Sequence, residues 1–373
     1  MNPRAIDLFC GCGGLTLGLI NSGFDVAGAL DNWPVAIETY QTNFAHPAVC
    51  RAIERLSASE FLKIAGCCDS RIDLVAGGPP CQGFSIQRIG NDLDERNALI
   101  LEFARFVCEL MPRMFLMENV PGLLGRRGQS LAALFVSTLR SAGYEVRVKQ
   151  VNAAEYGVPQ MRKRIFFYGW KDQGRENFVF PQPTLQQAQF RTVAEAIGDL
   201  PKPSDSRTND AQSDPLHFRT KLSHLNLERL RYIPPGGGFE DLPVELRVNC
   251  HKNGASKIGH RYVYGRLAPQ APAGTITGRF DSFTRGKFAH PTEDRNITLR
   301  EGARLQSFPD SFRFFGTQEE IAAQIGNAIP PMLATNIAAG MFSYLTQESE
   351  RSESRRTIER EDQFALFGAD REQ

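Results

Sequence analysis

Ala5-Ile6-Asp7-Leu8-Phe9-Cys10-Gly11-Cys12-Gly13-Gly14-Leu15 opens as an apolar run, breaks into glycines and then resumes. Ala5–Phe9 reads as a buried strand, the glycines as a turn, and the chain from Leu15 as a helix. Glycine lets the backbone come close to a ligand there, and the first turn of the helix offers unpaired N–H groups. The same alternation runs on downstream. Val26–Leu30 reads as a second strand, and Pro34 suits the first turn of the next helix. Ile72–Ala76, Met114–Met117, Tyr144–Val151 and Ile165–Gly169 are further strands. Asn97 suits the cap of a helix in which Leu99, Ile100, Phe103, Val107 and Leu110 form one apolar stripe, and Leu131–Arg140 is another helix. Strands alternating with helices predict an α/β fold, a mostly parallel sheet covered on both faces, with ligands at the carboxyl ends of the strands.

Composition narrows the class. Of 373 residues, 42% are hydrophobic and 23% charged, the balance of an ordinary globular protein. No apolar stretch approaches membrane-spanning length and the N-terminus lacks a signal-peptide pattern, so we expect a cytoplasmic protein with no membrane partner. The eight cysteines are scattered without zinc-site spacing, which predicts reduced thiols and no metal. The net charge of +1 conceals a local excess. Between Arg247 and Pro291 eight cations face a single acid, Asp281, with Tyr262, Tyr264, Phe280, Phe283 and Phe288 among them. Basic residues interleaved with aromatics and glycines suit a nucleic-acid surface.

After Trp170 the texture changes. Pro, Gly, Asp and Ser become frequent, as in Asp199–Pro215 and Pro234-Pro235-Gly236-Gly237-Gly238, and periodicity weakens. Helical patterns return at Thr298–Ser307 and Pro331–Leu345, before a charged tail. We expect a catalytic, cofactor-binding domain over 1–183, a loop-rich domain over 184–297, a return to the first domain over 298–346, and a tail over 347–373.

Chemistry concentrates at strand ends. Gly77-Gly78-Pro79-Pro80-Cys81-Gln82 follows a strand with a rigid turn that presents one cysteine, as a nucleophile requires. Glu118-Asn119-Val120 places a carboxylate at another strand end, plausible beside Cys81 as an acid. Gln160-Met161-Arg162-Lys163-Arg164 puts two guanidiniums on one side of a strand, suited to a phosphate and a base carbonyl. Asp31 closes the second strand, where a carboxylate accepts from ribose hydroxyls. The glycines lack the G-x-G-x-x-G spacing of a dinucleotide site, which disfavours a nicotinamide oxidoreductase. Asn327 in Gly326-Asn327-Ala328-Ile329-Pro330-Pro331 reaches a ligand or braces its turn.

Taken in order, DLFCGCGG, GGPPCQGFS, ENV, QMRKR, LREGARLQSFP and QIGNAIP resemble the signatures of the C5-cytosine DNA methyltransferase family, over Asp7 to Pro331. The resemblance implies a Rossmann-like S-adenosylmethionine-dependent catalytic sheet with a second, smaller target-recognition domain, acting on double-stranded DNA as a monomer. A cognate restriction endonuclease acting separately is a further expectation. By the same resemblance Cys81, Glu118, Arg162 and Arg164 are catalytic, with Arg164 on the cytosine carbonyl and Arg162 on the substrate backbone. Phe9, Gly11, Cys12, Gly14, Asp31, Asn32, Ile53, Pro80, Asn327 and Ala328 hold the cofactor, with Phe9 against its adenine. The polar Ser85, Gln87 and Arg88 that follow the nucleophile, and Arg261, Arg279, Arg285 and Lys287 of the basic segment, are the expected DNA contacts on their chemistry, with Thr275 added by the resemblance of Thr275-Ile276-Thr277 to a family signature. One departure stands out: the family's adenine-binding Asp falls on Ala52, with Glu54 or Asp69 as substitutes. A branch of the family that methylates transfer RNA and a non-catalytic DNA-binding relative are the alternatives.

Overall fold

The computed structural model describes residues 2–68, 71–80, 98–171, 177–207, 214–249 and 263–347. Seven strands form one sheet: β1 (Arg4–Leu8), β2 (Asp25–Asp31), β3 (Ala48–Cys50), β4 (Leu74–Gly77), β5 (Met114–Asn119), β6 (Tyr144–Asn152) and β7 (Lys163–Lys171). Their order is β3-β2-β1-β4-β5-β7-β6. The first five strands pair in parallel, as the alternation predicts, while β7 runs antiparallel to both neighbours. Only residues 153–162 join β6 to β7, too short a link for a parallel crossover. Chain order reverses between β1 and β4, so the crevice at their carboxyl ends is where a ligand belongs.

Helices α1 (Gly14–Asn21), α2 (Pro34–Asn43), α3 (Ala58–Ile64), α4 (Leu99–Leu110) and α5 (Gln129–Ser141) cover the sheet. Leu99, Ile100, Phe103 and Val107 of the predicted stripe are buried, packed in one core with Phe115, Phe135 and Phe167. The opposite face is closed by α10 (residues 331–347), whose Leu333, Ile337, Met341 and Leu345 join Leu15, Leu19 and Trp170. Gly14 makes that approach feasible, because a Cβ there would lie 2.4 Å from the Ile329 carbonyl. Neither β3 nor α3 was anticipated. β3 has only three residues, and α3 announces itself only through the Ser57–Glu60 capping box.

Beyond the sheet lie α6 (Val193–Ile197), α7 (His224–Tyr232), a short parallel pair of β8 (Gly265–Arg266) and β9 (Lys287–Ala289), then α8 (Leu299–Leu305) and α9 (Gln318–Asn327). A small cluster of Leu230, Ile233, Phe239, Leu242, Phe283 and Ala289 stays within this region. A larger one joins Val193, Phe218, Phe280 and Phe288 to α8, α9 and also to Cys10, Ile37 and Tyr40 beside the sheet. Two of the basic residues counted above do internal work. Arg266 is buried and donates to the carbonyls of Leu230, Ile233, His290 and Glu293 and to Asp294. Arg247 donates to the carbonyls of Glu240 and Leu242. No helix among the described residues is long and apolar enough to cross a membrane.

Candidate active site

A cavity of about 500 Å³ opens at the carboxyl edge of the sheet. The size fits a nucleoside-sized ligand. Phe9, Gly11, Cys12 and Gly14 reach it from the β1–α1 turn, and Asp31 and Asn32 from the end of β2. Ile53 and Pro80 form other parts of the wall, and Asn327 and Ala328 close it from the end of α9. Glu118 comes from the end of β5. Because β7 is antiparallel, Arg162 and Arg164 enter from its beginning at the same edge. Every expected cofactor residue therefore lines one cavity with three of the four expected catalytic residues. Cys81 lies outside the described residues; Pro80, which precedes it, is in the cavity wall.

The turn after β1 is held in an unusual conformation. Phe9 has φ 60° and Gly13 φ 96°, both in the left-handed region. Such backbone is costly for Phe and persists where its surroundings enforce it. Part of the enforcement comes from Asp31, whose carboxylate accepts from the Gly11 amide at 2.8 Å and the Trp33 amide at 2.9 Å. Burial raises the Asp31 carboxyl above its usual range, against the lowering effect of these amides. The carboxylate thus shapes the loop and still faces the cavity.

Among the described residues, two buried acceptors in the cavity wall have no hydrogen-bond partner: Asp7 Oδ1 and Gln324 Oε1. Asp7 is fully buried at the end of β1, and its other oxygen accepts from the Thr16 hydroxyl at 2.7 Å. Burying a carboxylate oxygen without a partner is expensive unless a donor or cation arrives. Sequence reasoning missed both residues. Asp7 heads the glycine turn and Gln324 precedes Gly326-Asn327, but nothing in their spacing shows an unmet acceptor. Glu54, raised above in place of Ala52, also lines the cavity, whereas Asp69 lies outside the described residues.

Glu118 and Arg164 form the central pair, Oε1 to Nε at 2.7 Å, with both side chains largely buried. Arg162 behaves differently from the expectation of a substrate-backbone contact. It is 1% exposed, and its terminal nitrogens donate to the carbonyls of Ile276, Gly326 and Ala328 at 3.0, 3.0 and 3.1 Å. Burial and the neighbouring Arg164 push its pKa down. It is a brace between β7, the segment around Ile276 and the end of α9. Gln160 works beside it, donating to Gln306 and to the Leu305 carbonyl while its own carbonyl accepts from the Ile276 amide.

The expected DNA contacts divide. Arg285 is exposed and its guanidinium has no partner among the described residues. Arg279 is paired with Asp281 and Glu319, each at 3.3 Å, in a half-exposed setting where such pairs are weak. Lys287 already donates from its ammonium to the Gly236 carbonyl at 2.5 Å, and its stem packs over Gly265. The Thr275 hydroxyl donates to the Met161 carbonyl and ties its segment to the approach to β7. Ser85, Gln87, Arg88 and Arg261 lie outside the described residues.

Comparison with known proteins agrees with this geometry. The family model described as C-5 cytosine-specific DNA methylase matches residues 3–343. Type II methylase M.HgiDII of Herpetosiphon aurantiacus is 33% identical, over 95% of this chain and 99% of its own length. Type II methyltransferase M1.HphI of Haemophilus parahaemolyticus is 35% identical, over 93% of this chain and 89% of its own. Among solved structures, a prophage-encoded protein of E. coli described as a DNA modification methyltransferase superposes with a TM-score of 0.72 at 29% identity, covering 92% of this chain and 99% of that one.

Proposed function

The chain belongs to the C-5 cytosine-specific DNA methylase family and is a DNA (cytosine-5-)-methyltransferase; from that premise we propose how its cavity does the work. The observation that carries the mechanism is the Glu118–Arg164 pair facing the same cavity as Pro80, one residue before the only cysteine in a Pro-Pro turn.

S-adenosylmethionine fits the cavity on chemical grounds. It carries an ammonium, and the wall holds the unpartnered Asp7 Oδ1 and Gln324 Oε1. It carries a ribose, and Asp31 stands at the tip of β2. It carries an adenine, for which Phe9 and Ile53 offer apolar surface and Glu54 an acceptor. When bound, it supplies a methyl group on a sulfonium, an electrophile with a neutral leaving group. The protein's task is to make C5 of cytosine nucleophilic. The Cys81 thiolate adds to C6, which gives C5 enamine character. Glu118 hydrogen-bonds N3 and carries a proton there as charge develops on the ring. Arg164 holds that carboxyl and takes the cytosine carbonyl. After methylation a water molecule takes the C5 proton, the C5–H electrons restore the C5–C6 double bond, and Cys81 leaves C6 as a thiolate. In duplex DNA the base must leave the stack to reach these groups.

Action as a monomer is part of this proposal. The Type II names of the relatives support a role beside a restriction endonuclease that acts separately, and DNA as substrate together with the free thiols at Cys10, Cys12, Cys50, Cys67, Cys68 and Cys108 supports a cytoplasmic setting. Sequencing methylated cytosines in DNA from a host expressing the chain tests the whole reading. Methylation at one short recurring sequence is expected; 5-methylcytosine confined to transfer RNA overturns duplex DNA as the substrate.

Target recognition we assign to residues 184–297, with Arg285 as the first candidate reader. Arginine reads guanine in the major groove with two hydrogen bonds worth about 1–3 kcal/mol of discrimination. Arg285→Ala is expected to relax the methylated sequence at one position, measured by sequencing as above. Arg279→Ala is expected to weaken all sequences alike and flatten the salt dependence of DNA binding, because its side chain is already shared with Asp281 and Glu319.

A further inference from the structure

Behind the cavity an unbroken line of hydrogen bonds leads from Asp7 toward the surface. Asp7 Oδ2 meets the Thr16 hydroxyl on α1 at 2.7 Å. The same hydroxyl meets Tyr40 Oη on α2 at 2.9 Å, and Tyr40 Oη meets His46 Nε2 at 2.5 Å. Asp7, Thr16 and Tyr40 are completely buried, whereas His46 is half-buried. Each hydroxyl has one proton, so the line has two directions only. With Asp7 ionised, Thr16 donates to Asp7, Tyr40 to Thr16, and His46 must carry its proton on Nε2. With Asp7 protonated on Oδ2, every donor reverses and neutral His46 must carry its proton on Nδ1.

We propose that Asp7, Thr16, Tyr40 and His46 form a proton exit for the cofactor site, through which cofactor binding drives one proton from Asp7 to the surface and switches the tautomer of His46. The inference rests on S-adenosylmethionine or its product occupying the cavity. The balance is simple. The Asp7 proton passes to Thr16 as the Thr16 proton passes to Tyr40 and the Tyr40 proton to His46 Nε2. The Nδ1 proton of the imidazolium then goes to water. No bond other than O–H and N–H is made or broken, and the ligand that fills the mouth of the cavity does not block this route.

The surroundings favour a carboxyl that is protonated when the cavity is empty and ionised when a cation arrives. Burial raises Asp7 to about 7; the Asp31 carboxylate reinforces the rise and the Thr16 bond opposes it. The groups facing Asp7 are Thr16 from α1, Asp31 from β2, Tyr40 from α2, and Cys10 and Cys12 from the β1–α1 turn. Its β4 neighbour is Ala76, which has no charge. The turn thiols are themselves raised by burial and stay neutral, so no cation among these groups holds Asp7 ionised. Burial lowers His46, with Asp25 opposing, which favours the neutral ring that both directions of the line require.

The test uses the full chain, ¹⁵N-labelled in histidine, with S-adenosylhomocysteine, which carries the same ammonium and does not turn over. At pH 6 the His46 nitrogen resonances, identified by their loss in His46→Gln, are expected to change from the Nδ1–H to the Nε2–H pattern on binding. Calorimetry at pH 6 in two buffers of different ionisation enthalpy should give close to one proton released. The dissociation constant should rise about tenfold per pH unit below 7, because the ionised form binds. Asp7→Asn should abolish the proton release and the pH slope. Tyr40→Phe, which keeps the buried ring, should leave S-adenosylhomocysteine bound while His46 no longer responds. An unchanged His46 tautomer in the bound wild type overturns the proposal, as does a change that persists in Tyr40→Phe. Binding without proton release overturns it too and leaves the cofactor reading intact; failure of S-adenosylhomocysteine to bind at all overturns both.

Discussion

Cys81→Ser is expected to lower methyl transfer by roughly 10³-fold or more while DNA is still bound. The alcohol has almost no ionised fraction near neutral pH, whereas a thiol is within two units of titrating. Single-turnover transfer of a labelled methyl group measures the loss, and a filter or gel assay measures retained binding. DNA carrying 5-fluorocytosine at the target should trap the wild-type enzyme, because fluorine does not leave C5 as a proton does. Mass spectrometry that finds the adduct on any residue other than Cys81 refutes the assignment.

Glu118→Gln is expected to reduce the same single-turnover rate by about 10²–10⁴-fold, the span usual for a lost acid–base group. The amide keeps the size of the side chain and can still touch Arg164, but it neither takes up nor gives a proton at N3. It also withdraws the anion that Arg164 now faces at 2.7 Å. Affinity for S-adenosylhomocysteine should change little, because the acceptors proposed for it are Asp7, Asp31 and Gln324. A rate within a few-fold of wild type would make Glu118 a brace for Arg164 and nothing more.

How much of this was legible in the sequence depended on the kind of signal. The parallel half of the sheet was readable because buried strands and amphipathic helices alternate with clear punctuation, and the residues at its carboxyl ends were readable as chemistry. The antiparallel placement of β7 was not, since apolar alternation is the same for either direction. Lysine and arginine in the basic segment looked alike in a count, yet Arg266 and Lys287 spend their charge on carbonyls. Arg162 shows the same limit: a cation beside an active-site residue reads as a ligand contact until the carbonyls around it are seen. Asp7 shows the converse. Its type and position were in view from the start, but only the geometry reveals an oxygen with no partner and a hydroxyl line running away from it.

The brace made by Arg162 and Gln160 bears on how such an enzyme changes its target over evolutionary time. Towards the segment around Ile276 and the end of α9 the two side chains grip main-chain atoms alone: the Ile276 amide and carbonyl and the carbonyls of Gly326 and Ala328. Main-chain groups are the same whatever side chain is attached to them. Exposed side chains of the proposed recognition region can therefore diverge while this main-chain seating on the sheet is kept, whereas the buried Ile276 and Phe280 stay tied to the core. If residues 184–297 read the target as proposed, a seating of this kind lets what is read change with little risk to how the enzyme reacts.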